Sequence, residues 1–412
     1  MVRSGLRRGL LSFAWLAAIL LAGVRPATTG SAPPNVVVML ADDLGWGDLA
    51  LHGGTIPTPH LDRLFRTGIE LETVCVMPLC SPTRAGLLTG RHPARVGVNP
   101  GVINARIGQR MNPDEVTLAE VLRPAGYRTA ALGKWHLGYA PSSPNLQGFD
   151  LFYGFLGAAT SYLTRTEDEH TRWMLNDRPQ PDPGYTTDLI RDRAIRWVRE
   201  NRTHPFFLYV AFNAVHNPVE ATEAYLARVP ATVADPHARA RAAMLIALDD
   251  AVGAILRAIE EEGLARRTIV LFLSDNGPTP DGSAGPLRGR KGSIWEGGVR
   301  SPAAIRWDGA LPGGHKVRAL IGVEDFFPTL LRLVGVPPPA GVTLDGRDFS
   351  AALRGGGSAR SEYYWVWRDC DVIRTERYKL VRFANRRELY DLQHDPGETR
   401  NVAAERPDVV RA

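Results

Sequence analysis

Two loops of this chain carry oxygen ligands in a pattern that suits a hard divalent cation. Asp42-Asp43 follows the apolar run Asn35 to Leu40, and Ser274-Asp275-Asn276-Gly277 follows the apolar run Thr268 to Leu273. An Asp-Asp pair alone reads as a turn or a helix cap. Adjacent carboxylates repel unless a cation or a strong base lies between them. Two carboxylates from one loop, with an aspartate and an asparagine from another, make an all-oxygen set for Ca2+ or Mg2+ rather than zinc. A third segment offers a nucleophile. In Cys80-Ser81-Pro82-Thr83-Arg84, Ser81 as cap and Pro82 as first helical residue predict a helix beginning directly after Cys80. Cys80 then sits at the positive end of a helix, where a negative species is favoured. Its plain reading is a buried thiol before a helix.

The elements that must position these residues alternate in type. Asn35 to Leu40, Tyr127 to Leu132, Pro205 to Phe212 and Thr268 to Leu273 are apolar runs of strand length. Thr58 to Arg66 begins with a capping threonine, Thr187 to Arg199 is amphipathic, and Arg239 to Glu262 is a long helix stopped by Gly263. This alternation predicts an α/β sandwich around a mainly parallel sheet. From Arg354 the texture changes. A glycine-rich stretch precedes Tyr363 to Trp367, Asp371 to Phe383 and Glu388 to Leu392, which read as short antiparallel strands. The expected organisation is an export signal over residues 1–30, a catalytic domain over 31–353, and a small C-terminal subdomain over 354–412.

Arg3, Arg7 and Arg8 precede the uncharged run Leu10 to Gly23, with small residues around Ala27 to Ala32. That is the pattern of a secretory signal, too short for a comfortable membrane span. Its removal takes Arg3, Arg7, Arg8 and Arg25 with it and brings the net charge of +5 down to +1. With no basic run and no second long apolar stretch, neither nucleic-acid binding nor a stable membrane span is expected. The three cysteines are an odd number for an exported chain, so at least one is unpaired or chemically used. Cys75 and Cys370 are left either to pair with each other or to stay as buried thiols.

Longer blocks carry a family resemblance. The twelve residues from Cys80 to Arg91, CSPTRAGLLTGR, resemble the signature of the formylglycine-dependent sulfatases. NVVVMLADDLGWGDL from Asn35, GKWHLG at Gly133 to Gly138, HNP at His216 to Pro218, LFLSDNG at Leu271 to Gly277 and RGRKGSIWEGGVRSP at Arg288 to Pro302 follow the family's order. The likeness is greatest to the arylsulfatase A group, including its relatives acting on sulfated amino sugars. Thr83 stands where the signature more usually has serine, with the hydroxyl retained.

The resemblance implies an alkaline-phosphatase-like fold and a set of roles. Cys80 is oxidised by a formylglycine-generating enzyme, and the hydrated aldehyde attacks the sulfur of a sulfate ester. One Ca2+ is held by Asp42, Asp43, Asp275 and Asn276, and lowers the pKa of the aldehyde hydrate. Lys134 and Lys291 bind the sulfate, and Arg84 stabilises the ionised hydrate. His216 protonates the leaving oxygen, His136 triggers release of sulfate, and Ser161 falls at an active-site serine. The residues themselves add that Lys134 and His136, two apart after a strand, can face one side of extended backbone. His216 also follows a strand, and Lys291 lies in a glycine-rich loop. Two other activities fit the same blocks: a phosphoryl or phosphonate monoester hydrolase, and a silent sulfated-glycan binder in which Cys80 stays a thiol. Export to the periplasm or cell exterior is expected, or to the lysosome in a eukaryote, where Asn201-Arg202-Thr203 would be a glycosylation sequon.

Overall fold

The structure, a computed structural model, describes residues 32–98, 101–164 and 171–411. The expected export signal lies outside the described residues. Pro33–Ala412 cluster as one compact unit. Its centre is a ten-stranded sheet in which Thr268–Ser274, Asn35–Ala41, Phe206–Ala211, Arg128–Lys134 and Leu151–Phe155 lie side by side and parallel. Ala303–Arg306 runs antiparallel beside Thr268–Ser274. Every residue of Asn35–Ala41 and Thr268–Ser274 is buried, which is why these strands read as unbroken apolar runs.

Successive side chains of a strand point to opposite faces, and the core divides accordingly. Val36, Val38 and Leu40 join a cluster with Leu87, Leu88, Phe326 and Leu330 on one face. Val37 and Met39 join Ile190, Ala243, Leu248 and Ile255 on the other. The first face is covered by the helices Cys80–Thr89 and Phe326–Val334, the second by Pro59–Thr67, Thr186–Glu200 and Pro236–Glu261. Each fully buried aliphatic side chain is worth roughly 1.5–3 kcal/mol, so a polar residue at Val37 or Met39 would break the scaffold rather than the chemistry.

The expected α/β sandwich is present, with local differences. The long helix starts at Pro236 rather than Arg239, because the Asp235 carboxylate accepts the Ala238 N–H at 2.8 Å and Pro236 fits the first turn. Thr58 precedes its helix, but its hydroxyl donates to Asp62 Oδ1 at 2.9 Å instead of capping. The run Asp371 to Phe383 divides into Cys370–Thr375 and Tyr378–Phe383, because the Thr375 hydroxyl accepts the Tyr378 N–H and closes a turn. With Glu362–Trp367 and Arg387–Asp391 these form a separate four-stranded antiparallel sheet. Its buried face packs on Cys75, Met77, Ile294 and Val299 in a third cluster. Cys75 and Cys370 are buried free thiols. Among the described residues no helix is long and apolar enough to cross a membrane.

Candidate active site

The carboxyl ends of two neighbouring strands deliver four oxygen-bearing side chains to one place. Ala41 and Ser274 are register partners, so the loops that follow them emerge side by side. Asp42, Asp43, Asp275 and Asn276 are all fully buried. Asp275 Oδ1 accepts the Asp43 N–H at 3.3 Å, and Asn276 Nδ2 donates to Asp43 Oδ1 at 2.7 Å. Asp42 Oδ1, Asp43 Oδ2 and Asn276 Oδ1 are buried with no hydrogen-bond partner. An unpaired buried acceptor costs about 1–3 kcal/mol, more when charged. Three such oxygens on a hard donor set fit a divalent cation of the calcium class. Burial and the neighbouring Asp42 charge raise the Asp275 carboxyl to about 6, against the opposing pull of Arg84. That repulsion is what a cation would relieve.

Cys80 reaches this cluster from the first face of the sheet. Its Sγ, one Asp42 oxygen and one Asp275 oxygen lie within 4.8 Å of one another. The helix Cys80–Thr89 includes Cys80, and Leu79 rather than Ser81 holds the capping position. The Ser81 hydroxyl accepts the Ile103 N–H at 3.0 Å instead. Thr83 steadies the approach, its Oγ1 accepting from Met77 N–H at 2.9 Å and facing the Met77 carbonyl at 3.3 Å. The thiol is not activated: burial pushes its pKa up, and Lys134 and Lys291 offset this only in part.

Cations close the cluster. Arg84, fully buried, donates Nε and Nη2 to Asp275 Oδ2 at 3.1 and 2.8 Å, Nη2 to Asp42 Oδ2 at 3.2 Å, and Nη1 to the Lys134 carbonyl at 2.9 Å. Lys134 Nζ lies 2.5 Å from Asp42 Oδ2, and Lys291 Nζ 2.6 Å from Asp43 Oδ1. Burial would raise the Asp42 carboxyl, but Lys134, His216 and Arg84 outweigh it and hold it far below the usual range. Burial likewise opposes the Lys291 ammonium, and the Cys80, Asp43 and Asp42 groups overcome it.

The two histidines differ. His216 Nε2 is 3.8 Å from Asp43 Oδ2, and Nδ1 is 2.6 Å from the Asn217 carbonyl, which can only accept, so Nδ1 carries a proton. His136 is buried, with Nε2 3.2 Å from the Ile103 carbonyl and Nδ1 unpaired. Burial first, then the Lys134 charge, lowers the pKa of both rings, that of His136 strongly. His136 does not share an extended face with Lys134. The strand ends at Lys134, and His136 takes a left-handed φ of 56°. Asp43, with φ 62°, is the other left-handed residue of the cluster; such conformations concentrate at functional sites.

Ser161 lies on a neighbouring segment that Glu220 anchors. Its hydroxyl donates to Glu220 Oε2 at 2.7 Å and lies 3.1 Å from Thr164 Oγ1. Sequence reasoning missed Tyr162 and Glu220. The buried Tyr162 hydroxyl donates to the carbonyls of Asn213 and His216, and Glu220 Oε2 accepts the Tyr162 N–H at 2.7 Å. These contacts tie the segment at 161–164 to the loop after His216. Their partners are more than fifty residues apart, so no local pattern announces them.

Known proteins resemble this chain over most of its length. The family profile described as Sulfatase matches residues 34–336, and one described as N-sulphoglucosamine sulphohydrolase, C-terminal, matches residues 290–409. Human (Homo sapiens) arylsulfatase A is 33% identical over 453 residues, spanning 92% of this chain and 86% of that protein. Mouse (Mus musculus) arylsulfatase J is 32% identical over 367 residues, spanning 85% of this chain but only 60% of that protein. The crystal structure of Ps i-CgsB in complex with k-i-k-neocarrahexaose superposes with a TM-score of 0.87 at 28% identity, covering 92% of this chain and 90% of that one. With a parallel central sheet, a separate antiparallel sheet and matches of this extent, the chain has the alkaline-phosphatase-like fold and belongs to the type I sulfatase family of sulfuric ester hydrolases.

Proposed function

We propose that this protein hydrolyses sulfate monoesters of aryl or carbohydrate alcohols, releasing inorganic sulfate, with residue 80 converted to formylglycine and one Ca2+ bound. The observation that supports it most is the meeting of Cys80 Sγ with the Asp42 and Asp275 carboxylates within 4.8 Å, beside Arg84, the buried Lys134 and the half-buried Lys291. Conversion by a formylglycine-generating enzyme would replace an unactivated thiol with an aldehyde hydrate, an oxygen nucleophile. Asp42, Asp43, Asp275 and Asn276 would hold the cation, which when bound supplies charge to polarise a sulfate oxygen.

The chain's own groups do the rest. Lys134 and Lys291 neutralise the sulfate oxygens as point charges. Arg84 has two nitrogens committed to Asp275 and cannot lose its proton, so it stays a fixed positive group close to residue 80. His216, once protonated at Nε2 as well, would hand that proton to the leaving oxygen and return to the neutral ring, whose remaining proton on Nδ1 stays engaged with the Asn217 carbonyl. His136, kept neutral by burial, accepts a proton at Nδ1 when sulfate departs. The Ps i-CgsB complex holds an oligosaccharide and arylsulfatase A is named for aryl esters, so both substrate classes belong to the proposal. Export under the direction of residues 1–30, and a division at 353/354 between catalytic domain and C-terminal subdomain, complete it.

The test is mass spectrometry of the Cys80 peptide from the native host, followed by kcat/KM for matched aryl sulfate and aryl phosphate. A peptide that remains wholly thiol, or a preference for phosphate, would overturn the proposal.

A further inference from the structure

The C-terminal sheet enters the site through two tryptophans. Trp365 and Trp367 stand two apart on Glu362–Trp367, whose burial alternates, so both indoles point into the core. They are 1% and 5% exposed. Trp365 Nε1 donates to the Val76 carbonyl at 2.9 Å, four residues before Cys80. Trp367 Nε1 donates to the Gly292 carbonyl at 3.2 Å, in the peptide directly after Lys291. The two acceptor segments also touch each other, since the Gly292 N–H donates to the Pro78 carbonyl at 2.8 Å. Gly292 has a left-handed φ of 78°, a conformation that other residues rarely adopt. The loop is held further at Arg288, whose guanidinium lies 3.6 Å over the Trp295 ring and donates to Tyr390 Oη and the Glu398 carbonyl, both at 3.1 Å.

We infer that Trp365 and Trp367 are positioning residues: paired indole N–H donors on one strand that set the nucleophile segment and the Lys291 loop in register. The inference rests on the sulfate-binding role proposed for Lys291. The buried Val76 carbonyl needs a donor, the half-buried Gly292 carbonyl gains one, and an indole offers one N–H in a fixed direction. Fixing the backbone at 291–292 sets where the Lys291 Nζ meets the Asp43 carboxylate. Trp367 acts on the anion-binding lysine and Trp365 on the segment leading to residue 80, so the two have different kinetic signatures.

The test uses Trp367→Phe and Trp365→Phe, which keep an aromatic ring in the core and remove the N–H. Rates are normalised to formylglycine content, and each variant is read with an aryl sulfate as substrate and inorganic sulfate as inhibitor. Trp367→Phe is expected to raise both KM and the sulfate inhibition constant about fivefold, the effect of one net hydrogen bond, with kcat nearly unchanged because the loss is uniform binding. Trp365→Phe is expected to lower kcat with little change in KM. In a Lys291→Ala background Trp367→Phe should add nothing. A merely structural role would lower the melting temperature and yield while leaving KM and the inhibition constant of the folded enzyme unchanged. If Trp367→Phe does not fold, benzothienylalanine at position 367 keeps the bicyclic shape without the N–H. Should Lys291→Ala leave the inhibition constant unchanged, the role of Lys291 falls and the inference with it. Should Lys291→Ala raise it while Trp367→Phe does not, or should Trp367→Phe act equally in both backgrounds, the inference alone is overturned.

Discussion

Glu296→Gln separates the scaffold of the Lys291 loop from its chemistry. Glu296 opens the short helix Glu296–Val299 directly after that loop and is 1% exposed. Its carboxylate accepts Arg374 Nε at 3.1 Å, Arg374 Nη2 at 3.3 Å and Lys379 Nζ at 3.2 Å, and Arg374 and Lys379 are themselves buried. Burial alone would raise the carboxyl; Arg374, Lys379 and then Arg300 outweigh it and hold it well below the ordinary value. Glutamine keeps the shape and removes the charge, leaving Lys379 with Glu398 at 3.0 Å as its anionic partner. Breaking a buried pair by removing one member costs about 3–5 kcal/mol. At roughly 2 °C per kcal/mol for a chain of this size, the melting temperature should fall by about 6–10 °C at pH 7. The sign of the pH dependence follows. A depressed carboxyl contributes stability that is fully present above its ordinary value of 4.5 and is lost as pH falls toward its folded value. The melting temperatures of wild type and Glu296→Gln should therefore converge as pH drops below about 4.5. Differential scanning calorimetry at matched scan rates across pH measures both effects. Equal stability at neutral pH, or a gap that persists undiminished in acid, would refute the assignment of this cluster as a net stabilising anchor.

Cys80→Ala should abolish sulfate release while leaving the unfolding transition in place, and measurable turnover by the pure variant would remove residue 80 from the chemistry. Asp43→Ala and Asp275→Ala should weaken calcium binding. At a calcium concentration 100 times its own dissociation constant the wild type gains about 2.7 kcal/mol, the variants much less, and a variant fully active in chelator would exclude the cation site. Thr83→Ser keeps the contacts with Met77 and should match wild type. Thr83→Val removes them and should cost about 1–3 kcal/mol in denaturant midpoint; indistinguishable midpoints would show that the hydroxyl does not hold the approach to Cys80. Sulfate should bind the calcium-loaded protein more tightly, and calcium the sulfate-bound protein by the same factor. Equilibrium dialysis of each in the presence of the other checks this, and a factor of one defeats it.

What the sequence disclosed divides along the range of the interactions involved. The central strands were legible because burial on both faces forces continuous apolar runs, and ligand loops belong at their carboxyl ends. Cys80 and the carboxylates could be named, although 37 or more residues separate them, because each sits next to a recognisable element. Backbone exceptions were not legible. His136 turns left-handed at the end of its strand, which an alternation rule cannot foresee. The helix cap went to Leu79 because Ile103 claims the Ser81 hydroxyl, a partner 22 residues away. Tyr162, Glu220 and the two tryptophans owe their roles to carbonyls and amides remote in sequence, and a backbone acceptor leaves no mark in the side-chain pattern.

The charges of the cluster explain why cation and anion should bind together. Asp42, Asp43 and Asp275 face Arg84, Lys134 and Lys291, three negative groups against three positive ones. Each lysine is paired with a carboxylate, Lys134 with Asp42 and Lys291 with Asp43, so the set is neutral and its cations are occupied. A divalent ion on the same carboxylates would compete for those oxygens and add two positive charges in a buried, weakly screened place. Unpaired buried charge is costly, and a sulfate monoester with its single negative charge takes away half of the excess. In the proposed formylglycine hydrate, an ionised oxygen at residue 80 would take away the rest, as the helix end at Cys80–Thr89 and the fixed guanidinium of Arg84 also favour. The same neutrality argues for sulfate over phosphate: a phosphate monoester dianion would neutralise the excess alone and leave no electrostatic reason for the nucleophile to ionise.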